Sequence, residues 1–221
     1  MKINDDKLKK CAVFFDFDNT ITKIDVLDDM LARFSRDDKW LELEDKWSHG
    51  KIGSRQCLDG QMRGISISRP RLDKYLKTIK IDGAFKKIVR LCDSKGIKTT
   101  ILSDNFEYIL KGILKHNGIS GIDVYCNALK ISGDDLTPAF PYSDDKPNGC
   151  AHCKTKNMLA NVDPGYTSIY IGDGLSDLCP SKKAGLVFAK STLKKRLKKD
   201  KVPCVPFNDL SDVYEYLKRR L

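Results

Sequence analysis

Aspartates stand at positions 16 and 18 in the run Asp16-Phe17-Asp18-Asn19-Thr20, directly behind the apolar stretch CAVFF. With one residue between them, one carboxylate can attack an electrophile while the other moves protons. Like charges this close force one carboxyl to hold a proton unless a cation neutralises them. A hard divalent ion such as Mg²⁺ meets that need, because it takes one or two protein carboxylates together with water and phosphate oxygens. Further oxygen ligands stand in Gly172-Asp173-Gly174-Leu175-Ser176-Asp177. Backbone amides after Asp16 and the Ser103 hydroxyl can hold a phosphoryl oxygen, and the Lys154 ammonium can neutralise both the attacking carboxylate and the group it receives. Together these residues would suit phosphoryl transfer.

Such residues act together only if the fold brings them to one crevice. Residues 11–15 form a short apolar run that breaks at once into acid, as a buried parallel strand does where its carboxyl end opens into a loop. Residues 98–102 repeat the pattern before Ser103-Asp104-Asn105, after a helical stretch over 84–94 closed at Gly96. Residues 167–171 run into Gly172-Asp173-Gly174, and 185–189 form a fourth apolar run. Strands alternating with helices predict an α/β fold, a doubly wound and mostly parallel Rossmann-like sheet. Ligands bind such sheets beyond the carboxyl ends of the strands, where these loops would converge.

Between about 23 and 80 the pattern becomes helical (VLDDMLARF, KWLELEDKW, PRLDKYLKTI), which predicts a small helical cap inserted after the first strand. The core would comprise 1–22 and 81–221. A second insertion over about 125–142, with Ser132-Gly133-Asp134-Asp135 at its centre, predicts a β-hairpin, followed by the polar loop SDDKPNG.

The chain has 221 residues, 41% hydrophobic and 32% charged, which excludes a mini-protein and a disordered chain. No apolar run approaches the ~20 residues of a membrane span, and MKINDDKLKK lacks the apolar core of a secretory signal, so a cytoplasmic location is expected. Eight cysteines in such a chain read as free thiols. The net charge of +10 is concentrated at Lys194, Lys195, Arg196, Lys198, Lys199 and Lys201 and at the chain end. That run reads as a solvated helix face, and without interleaved aromatics it does not make a nucleic-acid platform.

Asp16-Phe-Asp18-Asn-Thr20, Ser103, Lys154 and Gly172-Asp173-Gly-Leu-Ser-Asp177, in this order and on separate loops, resemble the haloacid dehalogenase superfamily of phosphatases. The resemblance implies Asp16 as the nucleophile that forms an aspartyl-phosphate and Asp18 as the acid and base. It places Thr20, Ser103, Asp104 and Lys154 on the substrate phosphate. Mg²⁺ would be held by Asp16, the Asp18 backbone carbonyl and Asp173, with Asp177 outside them. A helical insertion between the first two motifs is similar to that of phosphoserine phosphatase and its relatives. The hairpin region, Cys150-Ala-His-Cys153-Lys154 and Asp177-Leu-Cys-Pro180 look closest to two groups of that superfamily. One is the 2-hydroxy-3-keto-5-methylthiopentenyl-1-phosphate phosphatases of methionine salvage, and the other the phosphoethanolamine/phosphocholine and pyridoxal-phosphate phosphatases. The implied partner is a small phosphorylated metabolite.

Ser103-Asp104-Asn105 and Leu175-Ser176 depart from the Ser-Gly-Gly and Ala-Asn of phosphoserine phosphatases, which disfavours phosphoserine. Asp25 falls where that group grips an amine and is a specificity candidate, although its type and place also suit an ordinary helix start. The carboxylate-gripping arginine has no secure counterpart, with Arg55 and Arg63 only nearby. Lys156 competes with Lys154. Cys150-x-x-Cys153 with His152 falls short of the four ligands of structural zinc. The alternatives are a phosphotransferase or mutase on the same core, or a non-catalytic module that binds nucleic acid or protein through the basic C-terminal region.

Overall fold

A computed structural model describes residues 8, 10–144, 146 and 149–221. Its centre is β1 (Cys11–Phe15), five residues all buried, which pairs in parallel with β2 (Lys98–Phe106) on one side and β5 (Thr167–Gly172) on the other. A strand flanked on both edges and covered on both faces must be apolar throughout, which is why CAVFF does not alternate with polar residues. Its side chains still alternate in direction. Cys11, Val13 and Phe15 enter the larger core, where Phe15 meets Phe85 edge to face at 5.2 Å. Ala12 and Phe14 join Leu102, Met158 and Tyr170 on the opposite face.

The sheet has seven strands in the order β4-β3-β2-β1-β5-β6-β7, with β3 Asp123–Ser132, β4 Asp135–Ala139, β6 Leu186–Ala189 and β7 Val205–Pro206. All pairings are parallel except the β3–β4 hairpin. This is the predicted doubly wound α/β sheet. The antiparallel β3–β4 hairpin pairs Ala128–Ser132 with Asp135–Ala139, and β3 also extends the parallel sheet at Asp123–Asn127, which the sequence reading did not anticipate. Helix α5 (Gly83–Ser94) starts at Asp82, whose carboxylate accepts the Ala84 N–H at 2.8 Å. It stops at Gly96, whose φ of +66° lets the Gly96 and Ile97 N–H groups bond back to Asp93 and Cys92.

After β1 come α1 (Val26–Phe34), α2 (Lys39–Ser48), α3 (Ser54–Gly64) and α4 (Arg69–Leu76). The chain leaves and returns at one place, since Thr22 pairs with Ile81 and the Asp82 N–H donates to the Ile21 carbonyl at 2.8 Å. The sequence predicted three helices here. The unpredicted α3 carries Gly60 and Gly64, which weaken any propensity signal. Packing requires Gly60, where a Cβ would stand 2.7 Å from Leu43 Cδ1 of α2. The remaining elements are α6 (Glu107–His116), α7 (Lys154–Ala160), α8 (Leu178–Ser181), α9 (Ser191–Lys199) and α10 (Leu210–Lys218). Among the described residues no helix is long and apolar enough to cross a membrane.

Candidate active site

The carboxyl end of β1 delivers Asp16, fixed by its N–H to the Ile171 carbonyl of β5 at 2.9 Å. The chain then turns sharply at Asn19, whose φ of 54° is a conformation asparagine tolerates better than most residues. That turn sends Asp18 towards α1. Its carboxylate accepts the Val26 N–H at 3.0 Å and both oxygens accept from Asn105 Nδ2 at 3.1 Å. Burial, then the nearby Asp25, raises the Asp18 pKa well above the usual carboxylate range despite these bonds. A carboxyl held in this way can keep a proton to give away.

The β5 loop supplies Asp173 and Asp177. One oxygen each from Asp16, Asp173 and Asp177 lies within 4.8 Å of the others, and all three residues are buried. Burial first, and mutual repulsion after it, raises Asp16 well above its ordinary range and Asp173 to about 6. Lys154, at the start of α7, donates to Asp16 Oδ1 at 2.6 Å, Asp177 Oδ1 at 2.8 Å and Ser176 Oγ at 3.0 Å. Burial disfavours its charge, but Asp16 and Asp177 outweigh that and hold its pKa well above the ordinary lysine value. One ammonium cannot balance three carboxylates. The donor set is all oxygen, as a hard divalent cation prefers, so the residues present fit such an ion. Among the described residues this is the one group of three or more histidine, cysteine or acidic side chains so arranged.

Asp177 is the most constrained member. Its Oδ2 accepts the N–H groups of Asp173 and Gly174, both at 3.0 Å, while Oδ1 accepts from Tyr170 Oη at 2.7 Å and from Lys154. With all these bonds in place it can shape the loop and contribute charge from behind Asp16 and Asp173. Gly172 makes room for it, because a Cβ there would lie 2.6 Å from Asp177 Oδ2 and 2.7 Å from its Cγ. Gly172→Ala is therefore expected to displace the Asp177 carboxylate, costing roughly 1–3 kcal/mol of stability and at least about tenfold in kcat. Calorimetry and steady-state rates would check both.

The other expected phosphate ligands are placed less uniformly. Thr20 donates its hydroxyl to Asp173 Oδ1 at 3.1 Å and orients that carboxylate instead of facing the cavity. Ser103 is wholly buried and its hydroxyl accepts the Asn105 N–H at 3.0 Å, so it braces the second motif from within. That motif is not a loop beyond the strand. Leu102 pairs with Tyr125 and Phe106 with Asn127, so β2 carries extra residues there and bulges. The bulge turns Asp104 into the cavity, with its Oδ1 buried and unpartnered, and burial raises its pKa. Lys154 is 3% exposed whereas Lys156 is exposed, which resolves the competition between them.

Asp25 occupies both of its expected places, capping α1 through the Asp28 N–H at 3.1 Å and lining the cavity. Burial, then Asp28, raises its pKa to about 6. Arg55 and Arg63 lie outside, lining a separate depression with Phe140 and Lys146. His152 is buried, and its Nε2 faces Asn157 Nδ2 at 2.8 Å.

Sequence reasoning missed Asn105 and Tyr170, although Asn105 directly follows the singled-out Ser103-Asp104 and Tyr170 puts a hydroxyl between Ile169 and Ile171 in the apolar centre of β5, signals that could have found them. It also missed Glu44, Trp47 and Gln61, which line the outer cavity. These come from α2 and α3, and no local pattern marks them.

The model of the haloacid dehalogenase-like hydrolase family matches residues 13–179. A 2-hydroxy-3-keto-5-methylthiopentenyl-1-phosphate phosphatase of Brevibacillus brevis (strain 47 / JCM 6285 / NBRC 100599) is 29% identical over 216 residues, covering 96% of each chain. One from Exiguobacterium sp. (strain ATCC BAA-1283 / AT1b) is 28% identical over 211 residues, covering 93% of this chain and 96% of its own. Among solved structures, a substrate-bound phosphoserine phosphatase complex superposes with a TM-score of 0.69 at 18% identity, covering 94% of this chain and 98% of the other. A phospho-aspartyl intermediate analogue of phosphoserine phosphatase also reaches 0.69, at 19% identity and with the same coverage. These last two likenesses are of fold. With the family match spanning most of its length, the chain belongs to the haloacid dehalogenase-like hydrolases.

Proposed function

We propose that this hydrolase is a phosphomonoesterase acting on a small phosphorylated metabolite through an aspartyl-phosphate on Asp16. The observation that carries the reading is the convergence of Asp16, Asp173 and Asp177 within 4.8 Å beside a buried lysine. Asp16 attacks phosphorus in line with the ester oxygen, and Asp18, poised by burial to hold a proton, gives it to the departing alkoxide. Asp18 then takes a proton from the water that hydrolyses the acyl phosphate, restoring Asp16. Lys154 opposes the burial that raises the Asp16 pKa, so it favours the ionised nucleophile, and it offsets charge on the transferring group; a protonated Asp104 can donate to a phosphoryl oxygen. Thr20, Asn105 and Tyr170 hold Asp173, Asp18 and Asp177 in place.

Mg²⁺ is the cofactor this reading requires, held by Asp16 and Asp173 with Asp177 behind them. When bound it supplies charge neutralisation for the crowded carboxylates and the phosphoryl group. In the same reading residues 23–80 form a cap that closes over the substrate and excludes water.

The test is phosphate release from p-nitrophenyl phosphate. Chelation should abolish it and millimolar Mg²⁺ restore it. Mg²⁺ should also raise the Tm of the wild type but not of Asp173→Asn, since only the first retains the ligand set. Full activity in chelator would overturn the reading.

A further inference from the structure

We propose that Ser54 is a positioning residue: it fastens the loop that carries Lys154 to the helical insertion, so that Lys154 is held for phosphoryl transfer while α3 is seated on the core. This deepens the phosphomonoesterase reading and rests on it.

Ser54 opens α3 directly after Gly53. A serine at the start of a helix commonly bonds to a free N–H of its own first turn, but α3 has no side-chain cap. The Ser54 hydroxyl instead accepts the Ala151 N–H of the core at 2.8 Å. Beside it the Arg55 N–H, a first-turn donor that no carbonyl of its own helix can satisfy, donates to the Gly149 carbonyl at 3.5 Å. Two bonds of opposite sense therefore join α3 to residues 149–151.

Those residues lead straight into the chemistry. Ala151 is wholly buried, so its N–H depends on Ser54 and has no solvent to turn to. The next residue, His152, is buried too, with its N–H facing the Asp104 carboxyl. The Cys153 N–H then donates to the Tyr142 carbonyl at 2.8 Å, and Lys154 follows with its ammonium on Asp16 at 2.6 Å. The segment thus has one anchor on the core, at Tyr142, and one on the insertion, at Ser54. Arg36 and Arg69 also cross from the insertion to the core, but they end on Asp135 of the hairpin and Tyr108 of α6. Ser54 reaches the loop that supplies the counter-charge of the nucleophile. Any movement of α3 away from the core breaks that bond and leaves a buried N–H unpaired, which ties the seating of the insertion to the placement of Lys154. Misplacement by about 1 Å is enough to slow a positioned reaction severely.

Ser54 also lines the cavity, so direct contact with the substrate is the competing role. The two roles differ in kinetics. A group that acts through Lys154 changes kcat and falls silent once Lys154 is gone, whereas a group that only binds substrate changes KM whether or not the lysine is present.

The experiment measures hydrolysis of p-nitrophenyl phosphate with Mg²⁺, below the Tm of every variant, together with amide hydrogen exchange over residues 149–154. Ser54→Ala should lower kcat about five- to tenfold and leave KM within about twofold of the wild type. Ser54→Thr keeps the hydroxyl and should retain at least about half of the wild-type kcat. In Lys154→Met, adding Ser54→Ala should cost less than about twofold further. Exchange over 149–154 should speed up at least about tenfold in Ser54→Ala but not in Ser54→Thr. The inference is overturned, with the phosphatase reading intact, by an unchanged kcat or exchange rate in Ser54→Ala, or by a change confined to KM. A threonine variant as slow as the alanine one, or an equal loss of kcat with and without Lys154, overturns it in the same way. A wild type that hydrolyses no p-nitrophenyl phosphate sinks the phosphatase reading and this inference with it.

Discussion

Asp16→Asn is expected to abolish phosphate release from p-nitrophenyl phosphate, by roughly a thousandfold or more with Mg²⁺ present. A carboxamide is too weak a nucleophile to attack phosphorus, and no neighbouring group is placed to substitute for it. Asp173 is oriented by Thr20, and Asp177 is held by Tyr170, Lys154 and two backbone amides. Unfolding would not account for the loss. Burial and Asp177 both disfavour a charge at Asp16, and Lys154 keeps its bond to Asp177, so in metal-free buffer the Tm should hold or rise. A variant that keeps a tenth of the rate would remove Asp16 from the role of nucleophile. The alternative of a phosphotransferase shares this step and differs in the second, where an acceptor alcohol replaces water. Free phosphate as the product of the wild type separates the two.

Lys154→Met should damage both activity and stability. The ammonium is 2% exposed in its side chain and pairs with Asp16 at 2.6 Å and Asp177 at 2.8 Å. Methionine replaces the stem without the charge and leaves two buried carboxylates facing each other. Removing one partner from a buried ion pair costs about 3–5 kcal/mol, because the remaining charge has lost both water and counter-ion. For a domain of this size that is a fall in Tm of about 6–20 °C. Mg²⁺ should recover part of the lost Tm in this variant, because the cation supplies charge near the orphaned carboxylates. Activity should remain at least about a hundredfold down, since Lys154 also offsets charge on the transferring group. A variant as stable as the wild type in chelator would show that the buried carboxylates are protonated and need no partner.

These effects depend on positions that differ in how far the sequence revealed them. The strands were legible because burial on two faces leaves little choice but an unbroken apolar run, and CAVFF breaks off at the acids it delivers. Asp16, Asp18, Asp173 and Asp177 were legible for the same reason, since paired acids at the ends of buried strands are costly without a use. Thr20 and Ser103 show where that legibility stopped. A hydroxyl after a strand is compatible with binding phosphate or with bracing a loop, and only the bulge in β2 and the packing of Asp173 give them partners inside the protein.

The helical insertion was visible as a change of period, but α3 was not, because Gly60 serves close contact with Leu43 of α2 and, like Gly64, contributes nothing to a local helical signal. The sequence by itself determined the parallel sheet and the order of the motifs, which follow from short-range rules of burial and spacing, and the resemblance of those motifs to a known superfamily implied the chemistry. The tertiary structure alone decided that Lys154 outcompetes Lys156, that Arg55 and Arg63 face elsewhere, and that Glu44, Gln61 and Trp47 meet across one cavity. Those outcomes depend on how α1, α2 and α3 pack over the sheet, and such packing is set by contacts between residues far apart in the chain.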